Sequence, residues 1–284
     1  MFKTRSRALA ALAGLALVGA PALAGCSDED TTAEASGDRP VVTFTATDTT
    51  LTVPPEVPSG FVDINLQTEP GDVDVHHIFV ARLDDGVTVD EILNGDDDAF
   101  FTKLTLKGGN GSIAAGAEVT MTLDLEPGNY FALDNPQNEN SPTAEFTVVD
   151  SGRPSRRPEA EGVITMGPGM VINVPEDFDG TGTWEFVNED TGNGDEAEVH
   201  EAALVKLTSG ATSDDLVEWF GGDHQTPPPI DGEFGSMGAL GPGERAWITI
   251  EPGGPGDYVL VCFVPGRDGI PHVMKGMVTP VTVG

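Results

Sequence analysis

The chain has 284 residues and a formal net charge of −33, from 47 acidic against 14 basic side chains. Such a surface repels nucleic acid and anionic lipid headgroups, so neither is expected as a binding partner. The length suggests two ordinary domains, while abundant glycine and proline and the lack of long helical periodicity favour an all-β fold of short strands.

Residues 1–25 have the pattern of a bacterial export signal: a basic start is followed by the apolar run Ala8–Ala20, which is too short to span a bilayer. The run ends at Leu-Ala-Gly-Cys, residues 23–26, which resembles the lipobox of bacterial lipoproteins. We therefore predict lipid attachment at Cys26, a flexible acidic tether over 26–39, and an extracytoplasmic protein anchored to the cell membrane. The alternative is an ordinary cleaved signal.

Two stretches of the chain align with each other without a gap. Residues 75–93, VHHIFVARLDDGVTVDEIL, match residues 199–217, VHEAALVKLTSGATSDDLV, and flanking segments match in the same order. A match of this length indicates a duplicated unit. We predict two tandem domains, called here the first repeat (40–150) and the second repeat (162–284), joined by a proline- and arginine-containing linker at 151–161.

The sequence pattern predicts the same order of elements in each repeat: two strands, a third strand that begins at a histidine, a short helix, and further strands. Thr88 and Thr212, each followed three residues later by an acid, have the spacing of helix capping boxes. Tyr130 and Tyr258 lie where a β-sandwich often has a tyrosine corner. Seven or eight short strands per repeat favour two Greek-key β-sandwiches, each with a short helix. Predicted strands include Val41–Phe44, Phe61–Leu66, Glu118–Leu125, Gly162–Met166, Thr183–Val187 and Glu244–Ile250.

The second repeat brings together residue types that bind copper. His200 opens a middle strand, Cys262 closes the strand that begins at Pro-Gly-Asp-Tyr, and His272 and Met277 end the loop before the last strand. A mononuclear copper site for electron transfer uses two imidazoles, one thiolate and a distant thioether. With Cys26 assigned to lipid, Cys262 is left without an intramolecular partner, which suits either a metal ligand or a buried thiol.

In these residues the chain resembles the cupredoxin family, over both repeats in outline and over the second alone in ligands. The loop is longer than in plastocyanin and azurin. It is similar to the type 1 copper loop of copper nitrite reductases, where a histidine is followed by glycine-methionine at the interval from His272 to Met277. The resemblance implies cupredoxin-like domains, one type 1 copper ion, His200 and His272 as imidazole ligands, Cys262 as thiolate and Met277 as axial thioether. Met274 is an alternative thioether.

The sequence also departs from these families. Val261 precedes Cys262, where nitrite reductases have a histidine for their catalytic copper, and Glu201 stands where cupredoxins often have an asparagine that ties two loops together. His77 and His224 have no spacing that would build a second copper centre. We therefore expect that the protein is not an enzyme. Gly-x-Gly pairs lack the strand–helix setting of a phosphate loop, so we interpret them as turns and expect no nucleotide.

The first repeat supports an alternative without metal. His76 matches His200, but Asp134 stands where the second repeat has Cys262, and the following loop has neither histidine nor methionine. A histidine without a thiolate can have a structural role, and a lone buried thiol can act as a small hydrophobe. Two functions stay open. The first is copper binding with electron transfer to a redox or copper-handling protein through an exposed edge of His272. The second is a metal-free binding or assembly module of the cell envelope. Under the copper hypothesis the first repeat is a scaffold.

Overall fold

The computed structural model describes residues 39–95, 102–135, 141–152, 155–192 and 197–284. In the first repeat the elements are β1 Val41–Ala46, β2 Leu51–Thr52, β3 Glu56–Pro58, β4 Gly60–Thr68, β5 Val75–Leu83, α1 Val89–Asn94, β6 Leu104–Ala114, β7 Glu118–Leu125, β8 Gly128–Asp134 and β9 Thr143–Val149. In the second repeat they are β10 Gly162–Gly167, β11 Val171–Asn173, β12 Gly182–Asn188, β13 His200–Leu207, α2 Ser213–Gly221, β14 Ile230–Glu233, β15 Met237–Leu240, β16 Arg245–Ile250, β17 Gly256–Val261, a 3-10 turn His272–Lys275, and β18 Val278–Val283.

This order of elements confirms the predicted all-β fold with a short helix in each repeat. The predicted export signal and Cys26 lie outside the described residues, and the domain boundaries stay predictions. None of the helices in the described part of the chain is long and apolar enough to cross a bilayer.

Alternating side chains build the apolar core. Along β4, Val62, Ile64 and Leu66 are fully buried, while the residues between them are partly exposed. The matching strand β12 also buries Trp184 and Phe186, but Glu185 between them is buried as well. Buried residues of both repeats contact one another in a single large cluster, so the two halves share a core.

Two sheets run through both repeats. One has the strand order β11-β10-β12-β16-β7-β4-β1-β2, and the other has the order β18-β17-β13-β15-β6-β5-β8-β9-β3, with β14 paired to β13. The repeats meet through one antiparallel pair in each sheet, β16 with β7 and β15 with β6. The two halves are therefore joined by backbone hydrogen bonds as well as by the chain between them.

Glycines allow one of these junctions. A side chain at Gly111 would collide with Ser236, which precedes β15 across the junction, whereas one at Gly109 would collide with the carbonyl oxygen of Ile78 in β5 of the same repeat. Both glycines lie inside β6, where their missing side chains let neighbouring strands approach closely. The interpretation of this Gly-x-Gly pair as a turn is therefore wrong, because close strand packing requires the same residue type as a turn does.

Two predicted local features occur in both repeats. Thr88 and Thr212 each form a complete capping box at the start of their helix. Tyr130 and Tyr258 each donate from the hydroxyl to the carbonyl four residues upstream, at 2.9 and 2.7 Å. Both predictions are confirmed, and the matching caps and corners support the duplication seen in the sequence.

Candidate metal centre

Neighbouring strands of the second repeat place three of the four predicted ligands at one end of their sheet. The strand β17 pairs with both β13 and β18, with Val261 opposite Val278. His200 is the first residue of β13, Cys262 directly follows β17, and Met277 directly precedes β18. Antiparallel pairing therefore brings residues that are far apart in sequence to the same end.

His272 joins this end from the loop between β17 and β18. Its backbone N–H donates to the Val264 carbonyl at 3.0 Å, and its own carbonyl accepts from the Met277 N–H at 3.0 Å. Gly276 ends the following 3-10 turn in a left-handed conformation, with φ of 92°, which a glycine adopts without strain. Backbone hydrogen bonds thus fix the loop that presents the imidazole.

The structure brings His200, Cys262 and His272 into contact. The Nδ1 atoms of the two histidines are 3.2 Å apart, and Cys262 Sγ is 3.4 Å from His272 Nδ1. All three residues are 0% exposed. Among the described residues, this is the one group of three or more histidine, cysteine or acidic side chains whose ligand atoms all lie within 4.8 Å of one another.

These separations fit ligands that share one ion. Two nitrogens each about 2.0 Å from an ion at a tetrahedral angle lie about 3.3 Å apart, and a nitrogen and a sulfur about 2.3 Å from that ion lie about 3.5 Å apart. The observed distances of 3.2 and 3.4 Å agree with both values. A thiolate with two imidazoles is the donor set of type 1 copper, so the cluster is compatible with one such ion.

A carboxylate fixes the orientation of His200. Its Nε2 lies 3.2 Å from Asp190 Oδ2, and this nitrogen must carry the proton because the carboxylate can only accept. The lone pair is therefore left on Nδ1, the atom that faces His272. Asp190 is itself held by a backbone hydrogen bond to the Asn188 side chain at 2.9 Å. A carboxylate behind a ligating histidine is a common arrangement at metal sites.

Burial keeps the cluster neutral. It lowers the pKa of His272 to about 3, with smaller contributions from His200 and Lys275, and it lowers the pKa of His200 against the opposing effect of Asp190. Burial also raises the pKa of the Cys262 thiol well above its usual range. The imidazoles are therefore uncharged at neutral pH, and each has one nitrogen lone pair available to a metal ion. The thiol would have to release its proton when a cation binds.

Glu201 ties the two ligand loops together. Its backbone N–H donates to Cys262 Sγ at 3.4 Å, and Oε1 of its carboxyl group accepts from the Phe263 N–H at 2.8 Å. Burial raises the pKa of this carboxyl group to about 8. The departure from asparagine noted in the sequence therefore preserves a link between the loops.

The two candidate thioethers occupy different environments. Met277 is 0% exposed and belongs to the apolar cluster that also contains Cys262, and its carbonyl accepts from the Cys262 N–H at 3.1 Å. Met274 is 42% exposed, and its terminal methyl lies near Gly221 at the end of α2. Burial beside the thiol therefore favours Met277 over Met274 as the thioether.

The outer edge of His272 is closed, which corrects the expectation that it would be exposed. His272 Nε2 is buried without a hydrogen-bond partner, and Glu198 Oε2, 4.0 Å away, is also buried and unpartnered. Burial raises the pKa of Glu198. The sequence spacing that indicated a ligand loop contains no information on which loop residue covers the ring.

The first repeat fills the equivalent position with an internal pair. His76 Nδ1 lies 2.5 Å from Asp134 Oδ2, and both side chains are fully buried. The other carboxylate oxygen of Asp134 accepts from the His77 N–H at 3.1 Å, as Cys262 accepts from Glu201 in the second repeat. Asp134 therefore has the structural position of the thiol and pairs with Nδ1 of His76 without an ion, while Nε2 of His76 is buried without a hydrogen-bond partner.

Sequence reasoning did not find Asp190 and Glu198. Both lie on the segment before β13, outside the gapless repeat match, and acids are too frequent in this chain for one to be singled out. The structure brings together three of the predicted ligands and places Met277 in the same apolar cluster, while their roles as ligands stay predictions.

No protein-family model matches the chain, and no curated protein matches it. Similar solved structures include an auracyanin from Roseiflexus castenholzii, 22% identical, which covers 43% of this chain and 95% of that chain with a TM-score of 0.27. Auracyanin A of Chloroflexus aurantiacus, a blue copper protein, is 16% identical over 43% of this chain and 96% of that chain, with a TM-score of 0.28. A copper nitrite reductase from Nitrosomonas europaea is 12% identical over 87% and 94% of the two chains, with a TM-score of 0.24.

These comparisons contradict the expectation that the protein is not an enzyme. Nitrite reductases and a multicopper oxidase are among the similar structures, and these proteins are enzymes. At such identities and TM-scores the likeness carries no argument about how the cluster acts.

Proposed function

We propose that the second repeat binds one copper ion and uses it for electron transfer. His200 and His272 would supply imidazole nitrogens, Cys262 the thiolate and Met277 a thioether. The observation that carries this proposal is the mutual contact of the Nδ1 atoms of His200 and His272 and the thiol of Cys262, all fully buried, at separations that fit one ion.

A copper ion held by one thiolate and two imidazoles would supply one-electron chemistry at a low cost, because this donor set lies between the preferences of the cuprous and cupric ions. The protein supplies the rigidity that this requires. Asp190 orients His200, and backbone hydrogen bonds hold Cys262 and His272 in place. Complete burial excludes water from the ligands, which limits solvent rearrangement when the charge changes.

The test is titration of the purified protein with cupric ion. An intense visible thiolate-to-copper absorption band that saturates at one equivalent supports the proposal, and a Cys262→Ser variant should lack this band. A colourless native protein whose Cys262→Ser variant binds copper equally well would overturn it. Tight cuprous binding without colour would replace electron transfer with copper holding, and no binding of either ion would favour the metal-free envelope module.

We further propose that Cys26 carries lipid and anchors the protein to the outer face of the cell membrane. The support is the order of basic start, apolar run and Leu-Ala-Gly-Cys in residues 1–26. A partner would then be a redox or copper-handling protein at that face. Labelling with a radioactive fatty acid tests the anchor: the native protein should be labelled and sediment with membranes, whereas a Cys26→Ala variant should carry no label.

A further inference from the structure

A row of aromatic rings runs to the surface from Phe263, the residue bonded to Cys262 through the backbone. Phe263, the residue after Cys262, stacks on Phe220 of α2 with ring centroids 5.1 Å apart. Phe220 contacts Trp219 edge to face at 5.1 Å, and Trp219 stacks on His224 at 4.4 Å. These spacings are those of rings in van der Waals contact, so no saturated side chain interrupts the row.

The row runs from the core to solvent. Phe263 is buried, Phe220 and Trp219 are half-buried, and His224 is exposed. By contrast, the outer edge of His272 is closed beside Glu198. Within the described residues, the aromatic row therefore offers a route to the surface that starts one peptide bond from Cys262 and does not pass through His272.

Specific contacts hold the outer rings in place. The Trp219 indole N–H donates to the Thr226 carbonyl at 2.7 Å, and His224 Nε2–H donates to the Phe220 carbonyl at 3.3 Å. The backbone of His224 has φ of 55°, in the left-handed region that side chains other than glycine rarely adopt. The backbone therefore adopts an unfavourable conformation at His224, the residue whose ring stacks on Trp219.

We propose that electrons leave the second repeat along Phe263, Phe220, Trp219 and His224 to a one-electron carrier with a positively charged docking face. This inference rests on the proposed electron-transfer function. One electron leaves the occupied cluster and reduces one acceptor, with no bond formed or broken and no proton moved. The rings act as the coupling medium and are unchanged at the end of the step.

The charge around the exposed end of the row indicates the sign of the partner. The segment 208–229, which carries α2 and His224, contains four acidic residues and no lysine or arginine. These four residues are exposed: Asp214, Asp215, Glu218 and Asp223. A positively charged carrier is attracted to such a surface, and opposite charge raises the rate of encounter at low ionic strength.

His224 allows a direct measurement of the route. All five histidines lie within the described ranges, and four of them are buried while His224 is exposed. In the protein loaded with cuprous ion, a ruthenium polypyridyl complex coordinated to His224 can be photo-oxidised. The oxidised ruthenium then takes one electron from the cluster, and the appearance of the thiolate-to-copper band reports that transfer. We expect Phe220→Leu to slow this transfer several-fold and Phe220→Tyr, which keeps the ring, to retain the native rate.

Control variants separate the route from folding and from the proposed function. Phe178→Leu removes an aromatic ring of the same repeat that packs on Trp184, away from the row, and should leave the rate unchanged. An unshifted absorption band in each variant shows that the cluster is intact. A native rate in Phe220→Leu with an intact band overturns the route and leaves the proposed function standing. Failure of the native protein to form the band overturns both.

Oxidation in solution by a cationic cobalt(III) phenanthroline complex tests the docking face. Neutralising two acids beside the row, Glu218→Gln with Asp223→Asn, should lower the second-order rate and its dependence on salt. The matched control is Asp84→Asn with Asp85→Asn, an equal change of charge on an exposed loop of the first repeat. Equal losses in both pairs would show that only the net charge matters and would overturn docking at α2.

Discussion

The two repeats place different groups at one structural position. In the first, the carboxylate of Asp134 lies against His76, and in the second the thiol of Cys262 lies against His272, which in turn contacts His200. The backbone donor behind this position is the same in both, since His77 and Glu201 each supply an N–H. A shared fold therefore supports two outcomes. The residue at this one position decides between a histidine–carboxylate pair and a donor set that fits a soft metal ion.

Exchange of that residue should have the largest effect. Cys262→Asp gives the second repeat the acid of the first, and we expect complete loss of the thiolate-to-copper band because no sulfur ligand remains. The reverse change, Asp134→Cys, should add no second band, since the loop that follows it in sequence has no histidine or methionine. Absorption titration with cupric ion checks both variants. A second coloured site in Asp134→Cys would show that the thiol alone decides the difference.

Removal of the histidine of the first repeat should affect stability rather than copper. His76→Leu leaves the fully buried Asp134 carboxylate without its imidazole, at a cost of about 3 kcal/mol in the free energy of unfolding. The copper stoichiometry and the band should not change, because the cluster lies in the other repeat. Urea unfolding and copper titration of the same sample measure the two quantities. A loss of copper in this variant would contradict the role of the first repeat as a scaffold.

The carboxylate behind His200 should have an intermediate effect. In Asp190→Asn the amide no longer favours the tautomer with the proton on Nε2, so the lone pair on Nδ1 is less available. We expect copper affinity to fall by about tenfold or more, as for other partners of ligating histidines. Competition with a chelator of known affinity measures this change. An unaltered affinity in a folded variant would mean that packing alone orients the ring.

The helix caps should show where the repeats remain equivalent. Thr88→Ala and Thr212→Ala each remove one capping box, and each should lower the free energy of unfolding by about 1 kcal/mol. Neither change touches the cluster, so the copper band should be retained in both. Denaturant unfolding of the two variants under one set of conditions provides the comparison. Unequal costs would indicate that one helix contributes more than its cap to its repeat.

Much of this structure could be predicted from local patterns in the sequence. The helix caps and tyrosine corners were predictable because each depends on residues a few positions apart. The approach of Cys262 to His272 was predictable because a hairpin loop closes over a short distance in sequence. The junctions between the repeats were not predictable, since β15 is short and β6 contains glycines that resemble turn residues. The closed edge of His272 depends on Glu198, a residue from another loop with no distinguishing pattern.

The continuity of both sheets has a consequence for attempts to divide the protein. A first half made alone would expose β6 and β7 as open edges, and a second half would expose β15 and β16. Unpaired edge strands can pair with strands of other molecules. Either fragment should therefore aggregate, or should dimerise with a second copy in the place of the missing half. The charged contact of Lys107 with Glu244, which crosses this boundary, would also be severed. In the intact protein each half therefore pairs with the edge strands of the other, which prevents those strands from pairing with another molecule.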